Sequence, residues 1–433
     1  MSPETVGALG LVVMLVLMAL GMPIAFVMVL IGFVGLSILT SPTAALFILS
    51  DNYYFQFSSY TMLVIPLFVL MGEIAFHSGM SKRIFRTAYT WIGFIPGGLA
   101  VATIGACAGF AAICGSSTAT AATMGTVALP EMKKHNYDKA FSTGTVAAGG
   151  TLGILIPPSI VLIIYGTQTE LSIGKLFIAG ILPGIMLSLI FVLGILAMCL
   201  IKPELGAAAP RTSFRQKIQS LSGTLEMAVL FCLVIGGLLF GWFTPTEAAG
   251  IGAAGAIIIA VLRRSLSWSS FKAALVGTTR TTAMVLMIMA GAMIFSRFLT
   301  VSTLPQNFAQ WVGSLNASPY VILIGIMAVY IIGGCLMDAL SFLIITINIF
   351  YPIIVNAGFD PVWFGVVIVI LMEAGAITPP VGLNVYVING ISDDVQLQDI
   401  FRGVFPFLMM MVLGLIILTV FPQLALYLPG LVK

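Results

Sequence analysis

Long apolar stretches nearly free of charge follow one another along almost the whole chain, and they fix what it can fold into. One of them, residues 97–129, runs for 33 residues without a charged side chain. A bilayer span takes ~20 mostly apolar residues, so the 433 residues supply on the order of a dozen spans. Only 8% of the residues are charged and 60% are hydrophobic, against roughly 25% charged in a soluble domain. A water-soluble enzyme, a disordered chain and a nucleic-acid binder are thereby excluded. The apolar runs are continuous rather than alternating, which excludes a β-barrel. The expected class is an all-α polytopic membrane protein. The net charge of +3 implies no special partner, and the five cysteines lie in apolar stretches without ligand spacing. Met1 to Glu4 lacks a basic n-region, so the first apolar segment is expected to remain as a span.

The spans read as Val6–Leu20, Pro23–Leu39 and Thr61–Phe76, with an interfacial stretch Ser41–Tyr60 and an amphipathic stretch Ser81–Phe94. Next comes Gly97–Leu129, interrupted at Gly115-Ser-Ser-Thr118, then Ala140–Tyr165, interrupted at Pro157-Pro158, and Leu176–Ile201. The polar segment Lys202–Ser222 separates the halves. The second half repeats the layout: Glu226–Phe243, Ala248–Leu262, Thr282–Phe298, Tyr320–Val355, Pro361–Ile391 and Val404–Leu428. If Gly97–Leu129 and Tyr320–Val355 each enter and leave on one side, 15 of the 18 Lys and Arg residues, Arg211 among them, share a face. Lys175, Arg297 and Lys433 lie opposite. The excess of Lys and Arg makes the crowded face cytoplasmic and puts both termini outside, in the periplasm of a Gram-negative cell. Ordinary two-span hairpins give the same count, so charge fixes orientation and not re-entrance.

The two proline pairs, Pro157-Pro158 and Pro379-Pro380, are 379 − 157 = 222 residues apart. The same shift carries Pro23 onto Pro245, Pro130 onto Pro352, Asp138 onto Asp360 and Gly153 onto Gly375. A shift of 223 carries Gly180 onto Gly403 and Pro183 onto Pro406. The chain therefore divides into a first repeat (1–205), a cytoplasmic linker (206–222) and a second repeat (223–433). The hairpins are expected at about 97–132 and 320–356, the broken helices at about 140–168 and 361–391. An odd number of crossings per half makes the repeats inverted, and inverted repeats with matching broken helices are the pattern of secondary transporters.

Four segments carry the chemistry. In Cys114-Gly-Ser-Ser-Thr-Ala-Thr120, Ser116, Ser117 and Thr118 offer hydroxyl oxygens at a point where a re-entrant tip would leave helical geometry. Small-residue helix packing is the alternative. In Gly149-Gly-Thr-Leu-Gly-Ile-Leu-Ile-Pro-Pro-Ser159 the prolines lack amide donors, which leaves carbonyls of Gly153 and Ile156 without helical partners. A hard cation such as Na⁺ fits those oxygens, and a proline kink satisfied by neighbouring helices is the other reading. Gly333-Gly-Cys-Leu-Met-Asp-Ala-Leu-Ser341 is the repeat partner of the first tip, with Asp338 aligned to Ser116. A carboxylate inside a span is a functional candidate, or else it is bound to a helix end. In Glu373-Ala-Gly-Ala-Ile-Thr-Pro-Pro-Val-Gly-Leu-Asn384, Gly375, Thr378 and Val381 offer oxygens, while Glu373 suits a structural or a coupling role. Half-helix N-termini between the sites carry partial positive charge and suit an anion. No phosphate-binding loop and no His-Glu-x-x-His occur, so ATP-driven pumping and hydrolysis lack their parts. No cofactor beyond Na⁺ is expected, and no enzyme activity.

The chain resembles the large membrane subunit of TRAP (tripartite ATP-independent periplasmic) transporters. Gly21-Met-Pro-Ile-Ala25, Ile65-Pro-Leu-Phe68, Gly153-Ile-Leu-Ile-Pro-Pro-Ser159, Phe243-Thr-Pro-Thr-Glu-Ala-Ala249 and Pro379-Pro-Val-Gly-Leu-Asn384 carry the resemblance. It implies sodium-coupled import of an organic acid anion, a C4-dicarboxylate, a sialic acid or a similar carboxylate, across the bacterial inner membrane. It implies three partners besides the bilayer: the organic-anion substrate, a periplasmic substrate-binding protein that delivers it, and a separate small membrane subunit of about four helices. It also implies an elevator-type ion-transporter fold, in which a scaffold holds a moving domain of hairpins and broken helices. Carried over by residue, one sodium site would use Ser116, Ser117, Gly153, Ile156 and Pro158. The other would use Gly334, Gly375, Thr378 and Val381, and Thr118, Asp338, Ser341 and Asn384 would face the substrate. The alternative is a stand-alone proton-coupled anion carrier of related fold, with Asp338 and Glu373 as relays. An anion channel would not need an inverted repeat of broken helices.

Overall fold

The computed structural model describes residues 2–210, 212–315, 317–392 and 394–431. Met1 of the expected leaderless N-terminus and the basic residues Arg211 and Lys433 lie outside the described residues. The described residues form helices joined by short turns, and nine of those helices are long and apolar enough to cross a membrane. Many start where the sequence supplies a cap. Ser2, Ser41, Ser172 and Ser267 each accept a backbone amide from the first turn they precede. Thr244 and Glu247 form a reciprocal capping box ahead of Pro245, which occupies the first helical position where a missing amide costs nothing.

Two groups of helices separate by packing. In the first, Trp268–Val301 lies against Ile24–Leu39 and Val64–His77, and Pro245–Leu262 lies against Val64–His77. Glycine permits the closeness: a Cβ at Gly32 would fall 2.9 Å from the carbonyl carbon of Ile294. The amphipathic helix Met80–Ile92 joins this group to the second, packing on both Phe214–Leu239 and Gly98–Cys114. Three ionic groups brace that junction. Glu226 pairs with Arg83 at 3.7 Å and, more closely, with Arg263.

The second group holds the interrupted elements. The first hairpin is Gly98–Cys114 and Ser117–Lys134; the second is Pro319–Leu336 and Ala339–Asn356. The first broken helix is Lys139–Gly150, Leu152–Leu155 and Ile160–Thr169; the second is Pro361–Ala376 and Leu383–Asn389. The shift found in the sequence carries over to the helices: 117 + 222 = 339 and 134 + 222 = 356 bound the returning arms. The initial half of each broken helix packs on its own hairpin. The final halves are exchanged. Ile160–Thr169 packs on Ala339–Asn356, and Leu383–Asn389 packs on Ser117–Lys134. Both proline pairs are cis. The first broken helix is buried within the protein along its most apolar stretch.

Three segments differ from expectation. Part of the polar segment Lys202–Ser222 is helix, because Phe214–Leu239 starts at a capping box between Ser213 and Gln216. The span expected at Thr282–Phe298 lies toward the C-terminal end of a 34-residue helix, Trp268–Val301, about 50 Å long at ~1.5 Å per residue. The last expected span, Val404–Leu428, divides into Leu397–Val420 and Gln423–Leu431, since Pro422 has no amide to continue the ladder.

Candidate ion and substrate site

The first tip turns through Gly115, whose φ of 66° lies in the left-handed region that a side chain disfavours. Ser116 then caps the returning arm, accepting the amide of Ala119 at 3.3 Å, and its hydroxyl lies 3.3 Å from that of Thr118. Thr120 donates its hydroxyl to the carbonyl of Ser116 at 2.8 Å. The broken helix closes on this turn. A Cβ on Gly115 would sit 2.8 Å from the Pro158 carbonyl oxygen. Ser116, Gly153 and Pro158 are thus brought together, with Ser117 next in the chain. Ile156 ends the short helix Leu152–Leu155 in extended geometry, and Ser159 caps the half-helix that follows.

The oxygens gathered here are of the kind that bind hard cations. The carbonyls of Gly153 and Ile154 would pair with the amides of residues 157 and 158, and both are prolines; the Ile156 carbonyl, expected from the sequence to lose its partner, stands four residues before Ile160, which has an amide. The surrounding donors are hydroxyls and carbonyls, which are ligands for hard cations.

The second tip is built differently. It turns through Met337 in extended geometry, and Asp338 takes the capping position that Ser116 holds in the first repeat. The carboxylate accepts the amide of Ser341 at 3.0 Å and also its hydroxyl. Asp338 is exposed and Ser341 is buried. Gly334 and Gly375 meet backbone to backbone, with a Cβ on Gly375 falling 2.6 Å from the Gly334 Cα. Thr378 donates its hydroxyl to the Ala374 carbonyl at 2.6 Å, which leaves its lone pairs free. The Gly375 carbonyl accepts the Thr378 amide at 2.9 Å, so it is not orphaned as its counterpart Gly153 is. Val381 is 37% exposed, and its neighbours Pro379 and Pro380 are also exposed. The corresponding residues of the first break are buried.

Of the four residues expected to face substrate, Thr118 lies half-buried beside Ser116, and Asp338 and Ser341 form the cap of the second tip. Asn384 is fully buried, and its amide donates to Glu373 Oε2 at 3.4 Å. That contact spans eleven residues across a break, so no helical periodicity in the sequence announces it. Thr120, whose hydroxyl supports the first tip, is a residue of the site beyond those expected from the sequence; the signal for it is its four-residue spacing from Ser116.

Fold and site together define a class: a multi-pass helical membrane protein with two hairpin tips that each meet a proline break of the same repeat. The chain belongs to the tripartite ATP-independent periplasmic transporter family, DctM component, whose family model matches residues 11–424. It is 40% identical over 372 residues to the C4-dicarboxylate TRAP transporter large permease protein DctM of Pseudomonas aeruginosa, covering 86% of each chain. It is 31% identical over 412 residues to the sialic acid TRAP transporter large permease protein SiaM of Vibrio cholerae, covering 95% of each. Among solved structures, the YdaH transporter of Alcanivorax borkumensis, reported for its unusual topology, shares the fold with a TM-score of 0.65 over 91% of each chain at 15% identity. The family is one of transporter permeases and not of enzymes.

Proposed function

We propose that the chain imports an organic acid anion in symport with Na⁺. The anion is a C4-dicarboxylate, a sialic acid or a similar carboxylate. A periplasmic substrate-binding protein delivers it, and a small membrane subunit of about four helices accompanies the chain in the bacterial inner membrane. Both termini lie in the periplasm. The observation that supports sodium is the meeting of the first tip with the first break, where Ser116, Gly153 and Pro158 converge and prolines deny two carbonyls their amides. The second site is formed by Gly334, Gly375, Thr378 and Val381, and the anion lies between the sites near the half-helix N-termini. Transport is an elevator movement of the hairpins and broken helices against the helices around Trp268–Val301.

The test is thermal stability of the purified chain in NaCl against KCl and choline chloride at equal ionic strength. A ligand that binds only the folded state raises stability by ~2.7 kcal/mol at a hundredfold excess over its Kd. A saturable rise specific to Na⁺, lost when Ser116→Ala and Thr378→Val are combined, supports the proposal. No Na⁺ effect overturns it. Uptake into vesicles holding the chain, the small subunit and the binding protein then reads the coupling directly.

A further inference from the structure

Away from the tips, a cavity of about 1000 Å³ lies between Met80–Ile92, Ser117–Lys134 and the start of Phe214–Leu239. Its lining includes Lys82 and Arg86, Thr126 and Pro130, and Gln216 and Gln219. Lys82 and Arg86 are four residues apart and so share a helix face. Both are exposed, and among the described residues no Asp or Glu pairs with either. The other charges of the lining are matched. Glu131 pairs with Lys134 at 2.7 Å, while Arg83 donates to the Ser78 carbonyl at 3.1 Å and stands 3.7 Å from Glu226. The charges left over are therefore those of Lys82 and Arg86. Two hydrogen bonds hold the walls: the Thr87 hydroxyl donates to the Ser220 carbonyl at 2.7 Å and the Thr212 hydroxyl to the Thr90 carbonyl at 2.6 Å. Two helices lead from the first tip to this cavity. Val64–His77 touches the tip at Gly72, where a Cβ would lie 3.1 Å from the Cys114 carbonyl oxygen, and it ends at the turn through Gly79, which lines the cavity. Ser117–Lys134 starts at the tip and reaches the cavity at Thr126, about 14 Å further on at ~1.5 Å per residue.

We infer that this cavity is a staging site for the imported organic anion, with Lys82 and Arg86 as the groups that hold it. This rests on the import of a carboxylate proposed above and adds two residues that lie outside its ion and substrate sites. A cleft lined by one sign of charge raises the local concentration of the opposite ion by ~10 to 1,000-fold. The side-chain amides of Gln216 and Gln219 add neutral donors for carboxylate oxygens. An anion released at the first tip thus meets its nearest unmatched cations along the two helices that leave the tip.

The test places a thiol in the cavity with Thr126→Cys and compares its rate of modification by a sulfonate-bearing and by a quaternary-ammonium thiosulfonate reagent. Each rate is divided by that of a small thiol free in solution, and the chain without Thr126→Cys supplies the background. The expected result is a preference for the anionic reagent of about tenfold or more, lost in high salt and in the variant that combines Lys82→Gln with Arg86→Gln. No preference, or one that those substitutions leave intact, overturns the inference, as does a thiol that neither reagent reaches. Import into vesicles then reads the role: the combined variant is expected to import about tenfold more slowly, with the Na⁺ half-effect concentration of thermal stability unchanged. A lost charge preference with unchanged import overturns the staging role. A wild-type chain that imports no carboxylate is a different failure, that of the proposed function itself. Should the combined variant not fold, Lys82→Gln or Arg86→Gln alone is expected to lose part of the preference, and a full preference in both overturns the inference.

Discussion

Gly153 and Ser116 meet backbone to backbone: a Cβ on Gly153 would lie 2.5 Å from the Ser116 carbonyl oxygen and 2.7 Å from the Thr120 hydroxyl. Their separation in sequence is 37 residues, and their contact joins the first hairpin tip to the first broken helix. Space at this point is a requirement of the site, and it gives the first prediction. Gly153→Ala forces the tip away from the break. Overpacking of this kind costs about 1–3 kcal/mol, read as a fall in melting temperature. The Na⁺-dependent rise is lost along with it, whereas a substitution on the lipid face such as Leu193→Ala leaves that rise intact.

Asp338 separates two roles. Its carboxylate caps Ala339–Asn356 through Ser341, as Ser116 caps the equivalent arm. Asparagine caps as well as aspartate, while alanine costs ~1 kcal/mol. Asp338→Asn is therefore expected to melt at the wild-type temperature and Asp338→Ala several degrees lower. Retained vesicle uptake by Asp338→Asn assigns the carboxylate to capping; lost uptake with unchanged stability assigns it to transport.

Glu226 holds Arg83 and Arg263 where Met80–Ile92, Phe214–Leu239 and the end of Pro245–Leu262 come together. The carboxylate is mostly shielded, and the arginines are partly exposed. Removing one partner of a fully buried pair costs ~3–5 kcal/mol, so Glu226→Ala is expected to cost somewhat less, about 2–3 kcal/mol by that comparison. Melting curves check the size. High salt is expected to narrow the difference, because the arginines reach water.

Asp394 pairs with Lys133 at 2.8 Å and Lys139 at 3.4 Å, which ties the start of the last long helix to the first hairpin and first broken helix. The hydrogen bonds and charges of these lysines hold its carboxyl below the usual aspartate range. Since the folded pKa is depressed, the contribution is present above the ordinary value near ~4 and is lost as pH falls through the lower folded value. Melting temperature from pH 6 down to about 3 is expected to fall more steeply for wild type than for Asp394→Asn. The difference is small and shrinks in high salt, as for exposed pairs generally.

Gly403 lies against the carbonyl of Ala140, and Gly144 against Gly403, so the last long helix and the first broken helix touch at their backbones. Gly403→Ala is expected to reduce the yield and melting temperature of folded protein, by about 1–3 kcal/mol on the scale of overpacked sites. Gly430→Ala, with open space around it, is the matched control and leaves both unchanged.

The sequence by itself determined the spanning class, the positions of the tips and breaks, and the internal shift of 222 residues that the helix boundaries repeat. These are local matters: apolar length, a proline without an amide, a serine or aspartate before a first turn. Capping extended two helices beyond their apolar runs, so span edges were less legible than span centres. The tertiary structure alone decided what meets across the repeats. It exchanged the final halves of the broken helices between hairpins, turned Asn384 inward onto Glu373 rather than toward an open surface, and buried the first break while leaving the second exposed. Such contacts join residues far apart in the chain through packing of apolar helices, whose faces look alike in sequence because neither water nor charge distinguishes one from another inside a membrane protein.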